Sequence, residues 1–102
     1  MFVKQIKSYR NVVAICDENI LGEKFEEENF QINVKENFYK GEICSERETI
    51  EIIKKMSQED ATFNIVGEDS IRTAIKAGIV NEENVGRISG IPFAFVFLQN
   101  FF

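Results

Sequence analysis

The chain has no histidine and no tryptophan, one proline and two cysteines. Histidine is the commonest general base and the commonest zinc ligand, so its absence excludes every triad and metal motif that depends on it. The thiols of Cys16 and Cys44 belong to a chain without a secretory signal, where cysteines are more often small buried hydrophobic groups than disulfide partners. We therefore expect no metal site and no cofactor.

Long apolar runs are also absent, and basic residues are fewer than acidic ones. Residues 1–7 lack the apolar region of a signal peptide, and no run approaches the roughly 20 apolar residues that cross a bilayer. The sequence therefore predicts a cytoplasmic protein without a membrane partner. With 12 basic and 17 acidic residues the net charge is −5, which argues against a surface that grips nucleic acid everywhere, and no DNA partner is expected.

One local basic patch is conceivable near the start of the chain. Lys4, Lys7 and Arg10 share the first segment with Tyr9. Strand alternation would scatter these side chains across two faces, which favours an ordinary solvated surface.

The 102 residues, 44% of them apolar, predict a single domain over residues 1–102 without a linker or tail. Residues 63–66 form an apolar run that ends at Gly67, and apolar residues at helical spacing follow, so a strand leads into a helix. Gly78 stands where a left-handed helix end belongs. A short strand is expected at 85–89. In the last strand, 93–98, both faces are apolar and neither is suited to water.

The first half predicts mainly strands. Residues 2–9 and 11–16 are separated by a polar turn and predict a hairpin. Apolar and polar residues alternate over 30–34, which predicts a strand with one solvent-exposed face. The segment Ser45-Glu46-Arg47-Glu48 fits a capping box, which predicts a helix that extends to about Ser57. The fold class is α/β, with α+β as the alternative: one mixed sheet of about five strands and two main helices.

The acidic segment 17–28 carries six acids and one base, which accounts for the whole net charge. It matches a calcium-binding EF-hand loop at the first, third, sixth and twelfth positions. Leu21, however, stands where an oxygen ligand is needed, and Lys24 stands where an apolar residue is usual. An acidic connector is the favoured interpretation.

Candidates for catalysis are few. Cys16, Asp17 and Glu68 lie near strand ends and could support carboxylate or thiol chemistry. Cys44 precedes a helix start, where the helix dipole favours a thiolate, but no base is evident nearby. Since no set of titratable residues converges, an enzyme is not the favoured class.

The candidate binding residues are Asn64, Gly67, Phe93, Phe95 and Phe97. Gly67 lies at a strand-to-helix junction, where exposed amides can hold an anion. The acidic residues that follow it oppose a phosphate, and the phosphate-binding glycine patterns are missing, so a tight turn is favoured. The three phenylalanines either supply surplus apolar surface for a partner or belong to a central strand of the monomer that is buried on both faces.

Five short motifs in order along the chain resemble the archaeal family catalogued as domain of unknown function 424. They are Cys16-Asp17-Glu18-Asn19-Ile20-Leu21-Gly22, Phe38-Tyr39-x-Gly41, Asn64-Ile65-Val66-Gly67-Glu68, Ala77-Gly78-Ile79-Val80 and Ile88-x-Gly90-Ile91-Pro92-x-Ala94. The resemblance implies a compact α/β domain from an archaeal cytoplasm. The family pattern places a histidine after the proline, where this chain has Phe93, so any proton-transfer or metal role of that histidine is lost here.

Two classes of function follow. The first is a small non-catalytic binding or adaptor module. Its partner would be another protein, a second copy paired through the edge of residues 93–102, or RNA or a ribosomal particle of the translation apparatus. The alternative is a small enzyme that uses the carboxylates or thiol named above.

Overall fold

The computed structural model describes residues 1–97. The strands are β1 (Phe2–Ile6), β2 (Val12–Cys16), β3 (Lys24–Glu27), β4 (Phe30–Asn33), β5 (Glu42–Ile43), β6 (Thr62–Val66), β7 (Gly86–Ile88) and β8 (Ile91–Phe97). The helices are α1 (Glu36–Tyr39), α2 (Glu46–Ser57) and α3 (Glu68–Ala77), with single 3-10 turns at Glu18–Ile20 and Glu82–Asn84. Leu98 and the rest of the predicted edge, 99–102, lie outside the described residues.

A mixed six-stranded sheet in the order β5-β1-β2-β6-β8-β7 forms the centre of the domain. The predicted hairpin is confirmed, because β1 and β2 pair antiparallel from Phe2 opposite Cys16 to Ile6 opposite Val12. β2 and β6 are parallel, and β8 returns antiparallel along β6. The prediction of a mixed sheet with two main helices is confirmed, and the class is α+β with one strand more in the sheet than expected.

Helices α2 and α3 cover one face of this sheet. The capping box is present, since the Glu48 amide donates to Ser45 Oγ at 3.1 Å and the Ser45 amide donates to Glu48 Oε1 at 2.9 Å. The helix end at Gly78 is left-handed, with φ +85°. Alternating residues of the inner strands, such as Val13, Ile15, Phe63 and Ile65, are fully buried beneath the helices.

The second face of the sheet is covered over only part of its area. β3 and β4 form a separate two-stranded sheet, so the strand expected at 30–34 pairs with part of the acidic segment and not with the main sheet. That segment is more ordered than a connector because it contains β3. Together with α1, the hairpin packs over the end of the sheet that holds Phe2, Cys16, Val66 and Phe93. The other end of this face has no helix or hairpin over it in residues 1–97.

Candidate functional site

The uncovered part of the second face is the candidate binding surface. Side chains alternate along each strand, and the strand register places two rows on this side. One row is Lys4, Ala14, Asn64 and Phe95, and the other is Ile6, Val12, Thr62 and Phe97. Ala14 is buried, and the remaining seven residues are half-buried or exposed. We call these seven residues the open face.

The most exposed side chains of the open face are two phenylalanines. Phe95 is 61% exposed and Phe97 is 54% exposed. The ring of Phe95 lies 5.6 Å, centroid to centroid, from that of Phe93, whose own side chain packs under the hairpin. The final strand therefore packs against the core on its helix side, through Ala94 and Val96, and presents two aromatic rings to solvent on the other.

A cation accompanies each row of the open face. The guanidinium carbon of Arg10, from the turn between β1 and β2, lies 4.3 Å from the ring centroid of Phe97, which is a cation–π contact. The Lys4 ammonium donates to the carbonyl oxygen of Asn37 at 2.6 Å, which holds this lysine at the margin near α1. Strand alternation predicts that the basic residues are scattered, but Lys4 belongs to the open face and Arg10 contacts it.

Carboxylates are absent from the seven residues of the open face, although the chain has 17 acidic residues. Beside Arg10, Glu59 and Asp60 line a shallow hollow of about 310 Å³ together with Tyr9. The open face is therefore mainly apolar and aromatic, and it carries one cation, Lys4, with Arg10 beside it.

Asp17 lies outside the open face and caps helix α3. One carboxylate oxygen accepts from the amide of Asp69 at 3.0 Å, and the other accepts from the amide and the hydroxyl of Ser70 at 2.8 and 2.7 Å. The parallel pairing of β2 with β6 brings the residue after one strand beside the helix that follows the other. The amides that could hold an anion at this helix start are therefore already bound to a carboxylate of the chain itself.

Gly67 makes that cap sterically feasible. Its φ is +116°, and a Cβ at this position would lie 2.4 Å from Asp17 Cγ. Only glycine combines this backbone conformation with so close an approach. The geometry gives Gly67 a structural role, and its role in binding remains a prediction.

The three catalytic candidates do not line one pocket. Cys16 is fully buried, and burial followed by the charge of Asp17 raises the pKa of its thiol to about 12. The Asp17 carboxylate is hydrogen-bonded to the start of α3. The Glu68 side chain is exposed, and its Oε1 lies 3.4 Å from Arg87 Nη1. Burial is also the first cause that raises the pKa of the Cys44 thiol. Both thiols are thus held in their neutral, weakly nucleophilic form.

A groove of about 510 Å³ lies between α3 and residues 82–87. Its apolar floor contains Ile71, Ile75 and Val85. The basic groups on its rim are paired: Arg72 contacts Asp69 at 2.7 Å, Lys76 contacts Glu46 at 2.6 Å and Arg87 contacts Glu68 at 3.4 Å. This charge balance gives the groove no preference for a ligand of either sign.

Sequence reasoning named Asn64, Phe95 and Phe97, and the structure brings these three together on the open face. It did not name Ile6, Val12 or Thr62, and it interpreted Lys4 and Arg10 as an ordinary solvated surface. Side-chain alternation along β1 and β2 predicts which of these residues share a face of their own strand. That this face is also the face of Phe95 depends on β6 lying between β2 and β8.

Fold and surface together define a small α+β domain with a half-covered sheet face. The chain belongs to the family described as protein of unknown function DUF424, whose model matches residues 5–98. It is similar in fold to the crystal structure of an uncharacterized conserved protein from Methanopyrus kandleri, with 22% identity and a TM-score of 0.85. The match covers 99% of this chain and 95% of that chain. No curated protein matches it.

Two further findings concern residues 1–97 only. Their helices are all too short and too polar to cross a membrane. The same residues contain no cluster of three or more histidine, cysteine, aspartate or glutamate side chains arranged to hold a metal ion.

Proposed function

We propose that this chain is a small non-catalytic binding module of the archaeal cytoplasm that contacts its partner through the open face. The exposure of Phe95 and Phe97, 61% and 54%, carries the proposal. Burying a phenylalanine side chain stabilises a protein by roughly 1.5–3 kcal/mol relative to leaving it exposed. Since each of the two rings is a little more than half exposed, a partner that covers them would gain about half of this free energy per ring.

The setting that fits this proposal is an adaptor of the translation apparatus or of another RNA-associated complex. Its test is sucrose-gradient sedimentation of the tagged protein in an archaeal lysate, with and without nuclease. We expect the wild type to migrate with large particles and nuclease to release it. The double variant Phe95→Ala with Phe97→Ala should stay at the top of the gradient.

Phe30→Ala is the matched control. Phe30 is 72% exposed but lies on the hairpin, away from the open face. The control should sediment like the wild type. Identical profiles for the wild type and the double variant, at any position in the gradient, would contradict the proposal.

A second candidate, self-association, is favoured by the edge of β8. β7 pairs only with Ile91, Pro92 and Phe93, so in the described part of the chain residues 94–97 have a strand neighbour on one side, β6. The Pro92 carbonyl accepts from the Gly67 amide on the β6 side, and by alternation the backbone of Phe95 points to the open edge. A second copy could add its own strand there.

Sedimentation velocity over a concentration series tests this candidate. Phe95→Pro removes the edge N–H, whereas Phe95→Ala removes the ring and keeps the N–H. A dimer of the wild type that persists in the alanine variant and is lost in the proline variant would support edge pairing. A wild type that stays monomeric at high concentration would exclude it.

A further inference from the structure

We infer that the open face binds single-stranded nucleic acid, with bases stacked on Phe95 and Phe97. This inference rests on the proposed function, since it names the partner of the same surface. Successive bases of a single strand stack on exposed aromatic side chains in many proteins, and every base has a flat face to offer. Residues two apart in a strand are about 7 Å apart, a separation that suits neighbouring bases of an extended chain.

Two polar side chains of β6 favour nucleic-acid bases over an aliphatic partner. In the sheet register Asn64 lies opposite Phe95, and Thr62 lies opposite Phe97. Each ring therefore has a neighbour with a side-chain amide or hydroxyl that can hydrogen-bond to the edge of a stacked base. A surface built only for apolar docking would leave these two groups without partners in the complex.

The cations of the open face can bind a phosphate backbone, although Glu59 and Asp60 share a hollow with Arg10. The seven residues include no carboxylate, and Arg10 and Lys4 lie at opposite margins of the face. Lys4 is three strands from Phe95 in the same row, a distance of about 14 Å. A nucleic-acid strand that crosses the sheet could thus stack on the rings and reach the ammonium, which has three N–H donors and uses one for the Asn37 carbonyl. The guanidinium of Arg10 can stack on a base or bind a phosphate.

Fluorescence anisotropy with short labelled oligouridine and oligoadenine tests the inference, with parallel RNA and DNA probes to identify the sugar. We expect the wild type to bind at low salt. Each stacked base contributes an amount that corresponds to roughly a 5- to 150-fold change in affinity. Phe95→Ala and Phe97→Ala should therefore each weaken binding within that range, and Phe30→Ala should leave it unchanged.

Two further variants separate stacking from apolar contact and from charge. Phe97→Leu keeps an apolar side chain but loses the flat ring, so it should weaken binding, whereas Phe97→Tyr should preserve it. Arg10→Ala should weaken binding and, where the guanidinium binds a phosphate, reduce the slope of log affinity against log salt by about 0.7, the value for one contact with a single strand. Circular dichroism checks that each variant is folded. We expect all of them to fold, since these side chains are exposed.

Several results would overturn the inference. They are no binding of any probe by the folded wild type at low salt, equal affinity of Phe97→Leu and wild type, or equal weakening by Phe30→Ala. If the probes fail but the sedimentation difference between wild type and double variant survives, the open face binds a protein and only the nucleic-acid inference falls. If the probes do not bind and the wild type and double variant also sediment alike, the proposed function is refuted as well.

Discussion

Replacing Asp17 with asparagine should destabilise the domain far more than a typical change of a single charge. The carboxylate is 8% exposed and accepts three hydrogen bonds at the start of α3. Asparagine keeps one oxygen for Ser70 but turns an NH₂ group toward the Asp69 amide, where two donors then face each other. One charge-assisted hydrogen bond is lost, which costs about 1.5–3 kcal/mol.

The helix dipole adds to this loss. A negative charge at a helix start contributes about 0.3–1 kcal/mol, and more when it is partly buried. We therefore expect Asp17→Asn to lower the free energy of unfolding by about 2–4 kcal/mol. For a domain of this size that lowers Tm by roughly 10–30 °C. Thermal and urea denaturation followed by circular dichroism measure both quantities.

Asp69→Asn is the matched control, since it makes the same chemical change in the first turn of the same helix. The Asp69 side chain is 61% exposed and pairs with Arg72 at the surface. Such a pair contributes about 0–1 kcal/mol. If Asp17→Asn cost no more than this control, the account of the buried cap would be refuted.

Three other predictions concern glycine, pH and thiol chemistry. Gly67→Ala should cost more than Gly78→Ala in urea denaturation, because both glycines have positive φ but only a Cβ at Gly67 would collide with a neighbour; equal costs would contradict this. Hydrogen bonding to Ser45 lowers the pKa of Glu48, so its stabilising effect is present above the usual glutamate pKa and is lost as the pH falls through the lowered value. The variant Glu48→Gln should reduce this fall in the free energy of unfolding at acidic pH. An unchanged dependence on pH would contradict the role of Glu48 in the capping box. A pKa of about 12 leaves Cys16 with roughly a thousandth of the usual thiolate, so a thiol reagent should modify it only in unfolded protein, and fast modification of the native state would disprove its burial.

The sequence was sufficient for features that depend on nearby residues. The capping box of α2 and the left-handed end of α3 at Gly78 arise from contacts within a few residues, and the β1–β2 hairpin joins neighbouring strands through one short turn. All three are confirmed. Of the hairpin of β3 and β4, only β4 is predicted by the sequence. β3 has a single half-buried side chain, Phe25, among charged residues, so it shows no apolar alternation.

The candidate site depends on contacts between distant segments, which local patterns do not encode. Alternation placed Phe95 and Phe97 on one side of their strand. Whether that side is buried depends on where α1 and the hairpin pack, and they stop short of these rings. The role of Asp17 likewise requires its pairing with a helix more than 50 residues away.

The most direct test of the open face as the contact surface is photocrosslinking. Purified protein with p-benzoylphenylalanine in place of Phe97 is irradiated in an archaeal lysate, and a second sample carries the same group in place of Phe30. Both positions are exposed, so access to the probe is comparable. We predict a discrete adduct from position 97 that is absent from position 30, with nuclease sensitivity if the partner is nucleic acid. The same adducts from both positions, or none from position 97, would contradict the account.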